Sequence, residues 1–292
     1  MGLAEKVIVT CAISGVVANK QQCPGIPYTP GEYAAEARRI RDAGGSVIHI
    51  HARTPEGKPS VALEDYRAIS EAITGEVPDI VVNFSTGFIG VPMQERVAHV
   101  VELRPELGAL NMGSMNYGKY SSKRKDFVFK FVFSNSFDDI IYLLTRMKEA
   151  GVKPELECFD VGHVESFAPL VDLGLLTHPI QFSLIHGVLG GISPTARNLA
   201  YMASVLPPGS TWEVIGISRE QWQLVASAIV LGGNVRVGLE DNFYLPDGRM
   251  ASSNGELVAK AASLVRELGR EVASPNEARA LLSLPVPARA AG

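Results

Sequence analysis

TPGEYAAEARRIRDAGGSVIHIHA, Thr29 to Ala52, holds one helix-to-strand unit of the chain. Thr29 before Pro30-Gly31-Glu32 reads as a helix start, with a side chain able to cap the first turn and proline at the first helical position. Gly44 closes that helix after Ala43, and Val47 to Ala52 then reads as a β-strand. A helix feeding a β-rich run through a glycine turn is part of a β/α repeat.

Comparable runs lie at Val7–Ala12, Ile80–Phe84, Ala109–Met112, Pro154–Phe159, Ile180–Ile185, Thr211–Ile215 and Val235–Leu239, eight in all with Val47–Ala52. Ser193-Pro194 and Ser218 with Glu220 mark two later helix starts. Alternating strands and helices with short connections imply parallel strands and right-handed crossovers. Eight repeats in about 250 residues suit a closed (β/α)8 TIM barrel, with a doubly wound open sheet as the fallback. Ser274–Leu284, opening with Ser274-Pro275, reads as one additional C-terminal helix before a frayed end. No stretch resembles a linker, so residues 1–292 are expected to form a single barrel catalytic domain.

Composition narrows the function. Of the 292 residues 46% are apolar and 20% charged, enough for a large core. A net charge of −4 gives no electrostatic case for nucleic acid or an anionic membrane, and the basic stretch Lys119 to Lys125 reads as a solvated loop. No run approaches the roughly 18 apolar residues of a membrane span, and Met1 to Lys6 carries no signal-peptide pattern, so a cytoplasmic protein is expected. Cys11, Cys23 and Cys158 are odd in number and lack paired spacing, which argues against a disulfide framework or a cysteine-ligated metal.

His49-Ile50-His51 carries the chemistry. Side chains at i and i+2 of a strand leave the same face, so both imidazoles can reach one divalent cation. The bland alternative is a pair of hydrogen-bonded core histidines. In a closed barrel the second and eighth strands both flank the first, which brings the histidines beside Glu240 and Asp241 on the catalytic face. Glu240 then completes two imidazoles and a carboxylate, a set that leaves a position open for substrate. Arg236, Gly238 and Glu240 share one strand parity, and an inward arginine needs a partner. Asp241 could supply it and serve as a general base, or the two could form a purely structural ion pair. Ser85-Thr86-Gly87 and Asn111 offer hydroxyl, amide and backbone N–H groups suited to an oxyanion or carboxylate, although turns use the same residues. The loop Gly187–Gly191 reads as a turn. His163 and His186, ending the fifth and sixth strands, stay ambiguous between ligands, substrate contacts and structural roles.

From Thr10-Cys11-Ala12-Ile13-Ser14-Gly15 through His49-Ile50-His51, Ser85-Thr86-Gly87 and Leu110-Asn111-Met112-Gly113 to Arg236-Val237-Gly238-Leu239-Glu240-Asp241-Asn242, the chain resembles the β-keto acid cleavage enzymes. The resemblance implies a zinc-dependent (β/α)8 acyltransferase that converts a β-keto acid and acetyl-CoA into acetoacetate and a new acyl-CoA. By that likeness His49, His51 and Glu240 hold Zn2+, Asp241 is the base supported by Arg236, Ser85, Gly87 and Asn111 help hold substrate, and the protein is a homo-oligomer, a tetramer. Two positions depart from the family. Val17 stands where aminohexanoate-cleaving members place a glutamate for the substrate's ammonium, which implies a neutral, partly apolar substrate tail. Ala109 replaces a threonine near the substrate.

Two other readings compete. A metal-dependent barrel hydrolase of the amidohydrolase type would use His163, His186 and Asp241 as further ligands and would hold two metals per chain. A non-catalytic binding barrel would leave the Arg–Asp pair unexplained.

Overall fold

The computed structural model describes residues 3–285. Its main sheet is a closed parallel barrel, a TIM barrel ringed by helices. In chain order the elements are β1 (Val9–Ala12), α1 (Pro30–Ala43), β2 (Val47–Ile50), α2 (Leu63–Glu76), β3 (Val81–Ser85), α3 (Met93–Leu103) and β4 (Leu107–Asn111). A hairpin of β5 (Met115–Ser121) and β6 (Asp126–Phe133) follows, then α4 (Phe137–Ala150), β7 (Lys153–Cys158), α5 (Val161–Glu165), α6 (Phe167–Asp172), β8 (Gln181–His186), α7 (Ala196–Ser204) and β9 (Thr211–Gly216). The chain ends with α8 (Gln221–Val230), β10 (Asn234–Val237), α9 (Asn254–Glu267) and α10 (Pro275–Leu282). Around the barrel the order is β1-β10-β9-β8-β7-β4-β3-β2, so β2 and β10 both flank β1.

Each of the eight runs read as strands contributes a barrel strand. Thr29 caps α1 with a full capping box to Glu32, and Gly44 closes it in the left-handed conformation. Two helix starts differ from expectation. The helix after Ser193-Pro194 begins at Ala196, because the Thr195 hydroxyl takes the capping hydrogen bond from Asn198. Ser218 and Glu220 form a short 3-10 turn ahead of α8. The basic stretch is not a plain loop either: Lys119 lies within β5, and the turn to β6 carries Lys123, Arg124 and Lys125. Phe127, Phe129, Phe131 and Phe133 alternate at strand period, the local signal of β6, which lies outside the eight barrel runs.

Strand residues of one parity, among them Cys11, Ile48, Phe84, Leu156, Phe182 and Val214, pack outward against the helices in one core. The opposite parity points into the barrel and is unusually polar. There the Thr10 hydroxyl donates to Glu213 Oε2 at 2.6 Å, the Ser183 hydroxyl donates to Glu155 Oε1 at 2.6 Å, and the Asn83 amide donates to Glu155. Such groups survive burial because each finds a partner.

The additional C-terminal helix closes the opposite end. Ala278, Leu282 and Leu284 pack on Ile8, Val47, Val81 and Leu107 at the strand N-termini. The frayed end expected after this helix falls mostly outside the described residues. Arg279 of α10 is buried, donating to both Glu106 carboxylate oxygens (2.6 and 2.7 Å) and to the Asp79 and Ile80 carbonyls (2.7 and 3.2 Å). Arg279→Ala strands those acceptors and is expected to cost roughly 3 kcal/mol, seen as a lower urea midpoint with an unchanged slope. A midpoint equal to that of the parent chain would show that the helix does not staple the barrel.

Candidate active site

His49 lies in β2 opposite Ala12 of β1, and His51 follows one residue beyond the strand end. Their rings approach edge to face with centroids 5.4 Å apart, so the i, i+2 geometry holds across the strand boundary. His51 is pinned through its carbonyl, which accepts from Ser14 Oγ (2.8 Å) and the Tyr33 hydroxyl (2.7 Å).

The acidic half arrives differently from the expected strand. β10 ends at Val237, and Gly238 takes a φ of +144° where an added Cβ would sit 2.1 Å from the Ala12 carbonyl oxygen. Only glycine fits that turn. The Asp241 and Asn242 N–H groups then donate back to the Gly238 carbonyl, each at 3.1 Å, while the Glu240 N–H donates to Ala12 at 3.2 Å. Glu240 therefore reaches the site from a turn tied to β1, rather than by strand parity with Arg236. Its Oε1 lies 3.7 Å from His51 Nε2 and 3.9 Å from His49 Nε2. Gly15 crowds the same carboxylate: its φ is +58°, and a Cβ there would lie 2.7 Å from Glu240 Cγ.

Among the described residues, the one group of three or more histidine, cysteine or acidic side chains able to share an ion is His49, His51 and Glu240, with donor atoms within 4.8 Å of one another. Both ring nitrogens of His49, Nδ1 of His51 and Oε2 of Glu240 are buried without a hydrogen-bond partner. This removes the reading of two hydrogen-bonded core histidines, and two imidazoles gathered with a carboxylate, with polar atoms left unpartnered on each, fit a cation. Burial, then the Arg236 charge, holds His49 well below the usual histidine range and His51 down to about 3. Both rings are therefore neutral, the form that ligates metal.

Arg236 holds the acids in place. Its Nε donates to Asp241 Oδ2 at 2.9 Å and its Nη2 to Asp241 Oδ1 at 3.0 Å, a two-pronged pair. It also reaches Glu240 Oε1 at 2.7 Å and Glu157 Oε1 at 3.3 Å. Burial raises the Asp241 carboxyl to about 6 against the pull of Arg236, and raises Glu157 to about 8. Three buried carboxyl groups crowd one guanidinium, and burial raises each above its ordinary range, a strain that a divalent cation would relieve. Glu157 was missed from sequence, although charged residues alternating through Glu155-Leu156-Glu157 of a buried strand were a usable signal.

The expected substrate side gathers around Gly87. A Cβ there would lie 3.4 Å from Ser85 Oγ, 3.4 Å from Asn111 Nδ2 and 3.9 Å from the His51 ring. Thr86 departs from this group, because its hydroxyl donates to the Ala109 carbonyl at 2.7 Å and ties β3 to β4. The loop is held from behind by Arg96, whose Nε donates to the Thr86 carbonyl at 2.7 Å, and by His99 beside the Ser85 carbonyl at 2.9 Å. Val17 is 66% exposed, two residues beyond Gly15. Arg53 secures that segment, donating to the carbonyls of Ser14 (3.1 Å), Gly15 (2.9 Å) and Ala18 (2.7 Å). His163 instead accepts from the Phe159 N–H at 3.3 Å and packs against Gly113, and His186 places Nδ1 3.4 Å from the Ser193 carbonyl. Neither joins the metal group, which removes the support for a two-metal hydrolase.

Residues 6–284 match the family model described as beta-keto acid cleavage enzyme. The chain is 41% identical over 283 residues to the 3-keto-5-aminohexanoate cleavage enzyme of Fusobacterium nucleatum, covering 97% of this chain and 99% of that one. It is 34% identical to the 3,5-dioxohexanoate:acetyl-CoA acetone transferase of Paraburkholderia graminis, with 97% of each chain covered. Among solved structures the apo form of ObcA superposes with a TM-score of 0.76 at 21% identity, over 89% of this chain and 66% of that chain, a likeness of fold. A match along almost the whole chain, on a barrel that brings the matched motifs together, leaves one conclusion: this chain belongs to the beta-keto acid cleavage enzymes and is an enzyme of that transferase kind.

Proposed function

We propose that this enzyme exchanges acyl groups between acetyl-CoA and a 3-keto acid with a neutral, partly apolar tail, releasing acetoacetate and a new acyl-CoA, with zinc held by His49, His51 and Glu240. The gathering of the His49, His51 and Glu240 side chains, each with a buried polar atom left unpartnered, beside an Asp241 gripped by Arg236 is the observation that carries this reading. A bound zinc ion would supply Lewis acidity toward the keto oxygen.

The chain's own residues supply the rest. Ser85 Oγ and the Asn111 amide, set around Gly87, receive the substrate carboxylate, and Ala109 adds no hydroxyl to that cradle. Asp241 takes a proton from the carbon between the keto and carboxyl groups, while Arg236 keeps its carboxylate ionised and aimed. That carbon bonds to the acetyl carbon of the thioester, and coenzyme A leaves as thiolate. The thiolate then adds to the original keto carbon, and the neighbouring carbon–carbon bond breaks. The electron pair stays with the departing acetoacetate, which recovers a proton from Asp241.

Mass spectrometry of purified protein with acetyl-CoA and a panel of 3-keto acids, with and without a zinc chelator, tests the reaction. Acetoacetate plus a new acyl-CoA, lost on chelation, is expected. No thioester exchange across the panel would sink the reading.

The tail preference rests on Val17, because an ammonium placed there finds no carboxylate. Since Val17 is exposed, solvent screens part of that penalty. Val17→Glu is expected to shift kcat/KM by about fivefold toward 3-keto-5-aminohexanoate over 3-oxopentanoate. A parent enzyme that already works much faster on the amino substrate would refute the preference.

A further inference from the structure

The β5–β6 hairpin takes no part in the site described so far. Six residue steps from Met115 to Ser121 project about 20 Å at strand rise. Its root is fixed at the barrel mouth, where Met115 and Phe133 pack with Phe159, Ile185, Val188 and Ile215. Its outer part carries Lys119, Lys123, Arg124, Lys125 and Lys130 against the single acid Asp126, on a chain whose net charge is −4. All five cations are exposed, and among the described residues none lies in an ion pair.

The pairing register arranges this surface. Asn116 faces Val132, Gly118 faces Lys130 and, past an irregularity after Lys119, Tyr120 faces Phe127. The irregularity brings the Phe127 ring over Gly118, 3.4 Å from where a Cβ there would stand, and Lys130 Nζ sits 5.1 Å from that ring's centroid. Tyr120 and Phe127 meet edge to face at 5.5 Å, and they are 49% and 41% exposed. Exposed aromatic rings flanked by unpaired cations suit a base and its phosphates.

A cavity lies beside this face, with Val132 of β6 in its wall. It has a volume of about 240 Å³, with Phe88, Met93, Val132 and Phe133 among its apolar lining and Arg96 and Asp139 among its polar lining. One of its lining residues, Phe88, lies edge to face with His51 at 5.6 Å.

We propose that the hairpin docks the phosphoadenosine end of acetyl-CoA, with the adenine on Tyr120 and Phe127, the phosphates on Lys130 and the Lys123–Lys125 turn, and the pantetheine arm in the Phe88–Val132 cavity. The assignment rests on the acetyl-CoA reaction proposed above. Charge complementarity favours this occupant: a polyanion meets Lys130, Lys123, Arg124 and Lys125, none of them ion-paired among the described residues.

The test uses a charge-reversed turn, Lys123→Glu with Arg124→Glu and Lys125→Glu, in the full chain. Coenzyme A binding is measured by calorimetry, and kcat/KM is compared for acetyl-CoA and S-acetylpantetheine, which lacks the nucleotide. The ratio of the two kcat/KM values is expected to fall at least about tenfold, coenzyme A binding to weaken alike, and salt sensitivity to diminish. An unchanged ratio, or a parent chain that does not bind coenzyme A, would overturn the proposal. So would a changed oligomeric state in sedimentation with the ratio intact, which would make the hairpin a subunit contact. Coenzyme A binding that depends on the turn, without thioester exchange in the parent, would leave the docking face standing and remove the reaction.

Discussion

Asp241→Asn is expected to lower turnover by about a thousandfold while the metal stays bound. Asparagine keeps the size of the side chain and an oxygen to accept from Arg236, so the two-pronged contact at 2.9 and 3.0 Å is weakened rather than abolished. What it loses is the ability to take a proton. Arg236 retains Glu240 at 2.7 Å and Glu157 at 3.3 Å, so the guanidinium is not left as an uncompensated buried charge. The checking measurements are single-turnover kinetics, metal content and the melting midpoint of the same preparation. Near-normal turnover with metal in place would reduce Asp241 to a structural partner of Arg236 and take the base out of the reaction.

His51→Ala is expected to have a comparable effect through a different link. With one imidazole gone, His49 and Glu240 remain as two ligands, too few to hold a catalytic divalent ion against dilution. Metal content should fall from one per chain to about a tenth of that or less, and thioester exchange should vanish with it. Chelation of the parent followed by zinc addition should restore exchange, whereas the same addition should not restore the variant. Two metals in the parent would reopen the hydrolase reading. Stability should suffer little, because His51 Nδ1 has no hydrogen bond to lose and the backbone contacts from Ser14 and Tyr33 persist. A variant that keeps its metal and its rate would dismiss the three-residue site.

Much of this was legible in the chain. Thr29 with Glu32 and Gly44 delimits α1 because capping and a left-handed helix end are local requirements that few residues meet. His49-Ile50-His51 announces a shared face through the two-residue period alone. The eight β-rich runs fix the barrel because parallel strands joined by helices have few ways to close.

Other features depend on residues meeting from distant parts of the chain. Glu157 and Asp241 are separated by most of the second half of the sequence, and only closure of the barrel places both on Arg236. Local pattern gave the hydroxyl of Thr86 to substrate, but the register of β3 on β4 puts the Ala109 carbonyl within its reach. Strand parity carried Glu240 inward, yet it arrives by the turn at Gly238, whose shape answers to the Ala12 backbone beside it.

The elements, their parallel order and the residue types able to hold a metal are local properties of the chain, because periodicity, caps and turns act within a few residues. Which buried atoms lack partners, which acids share one arginine, and where the aromatic, basic hairpin stands at the barrel mouth emerge from the folded barrel alone. Those outcomes depend on distances between segments far apart in the chain, which are set only when the barrel closes.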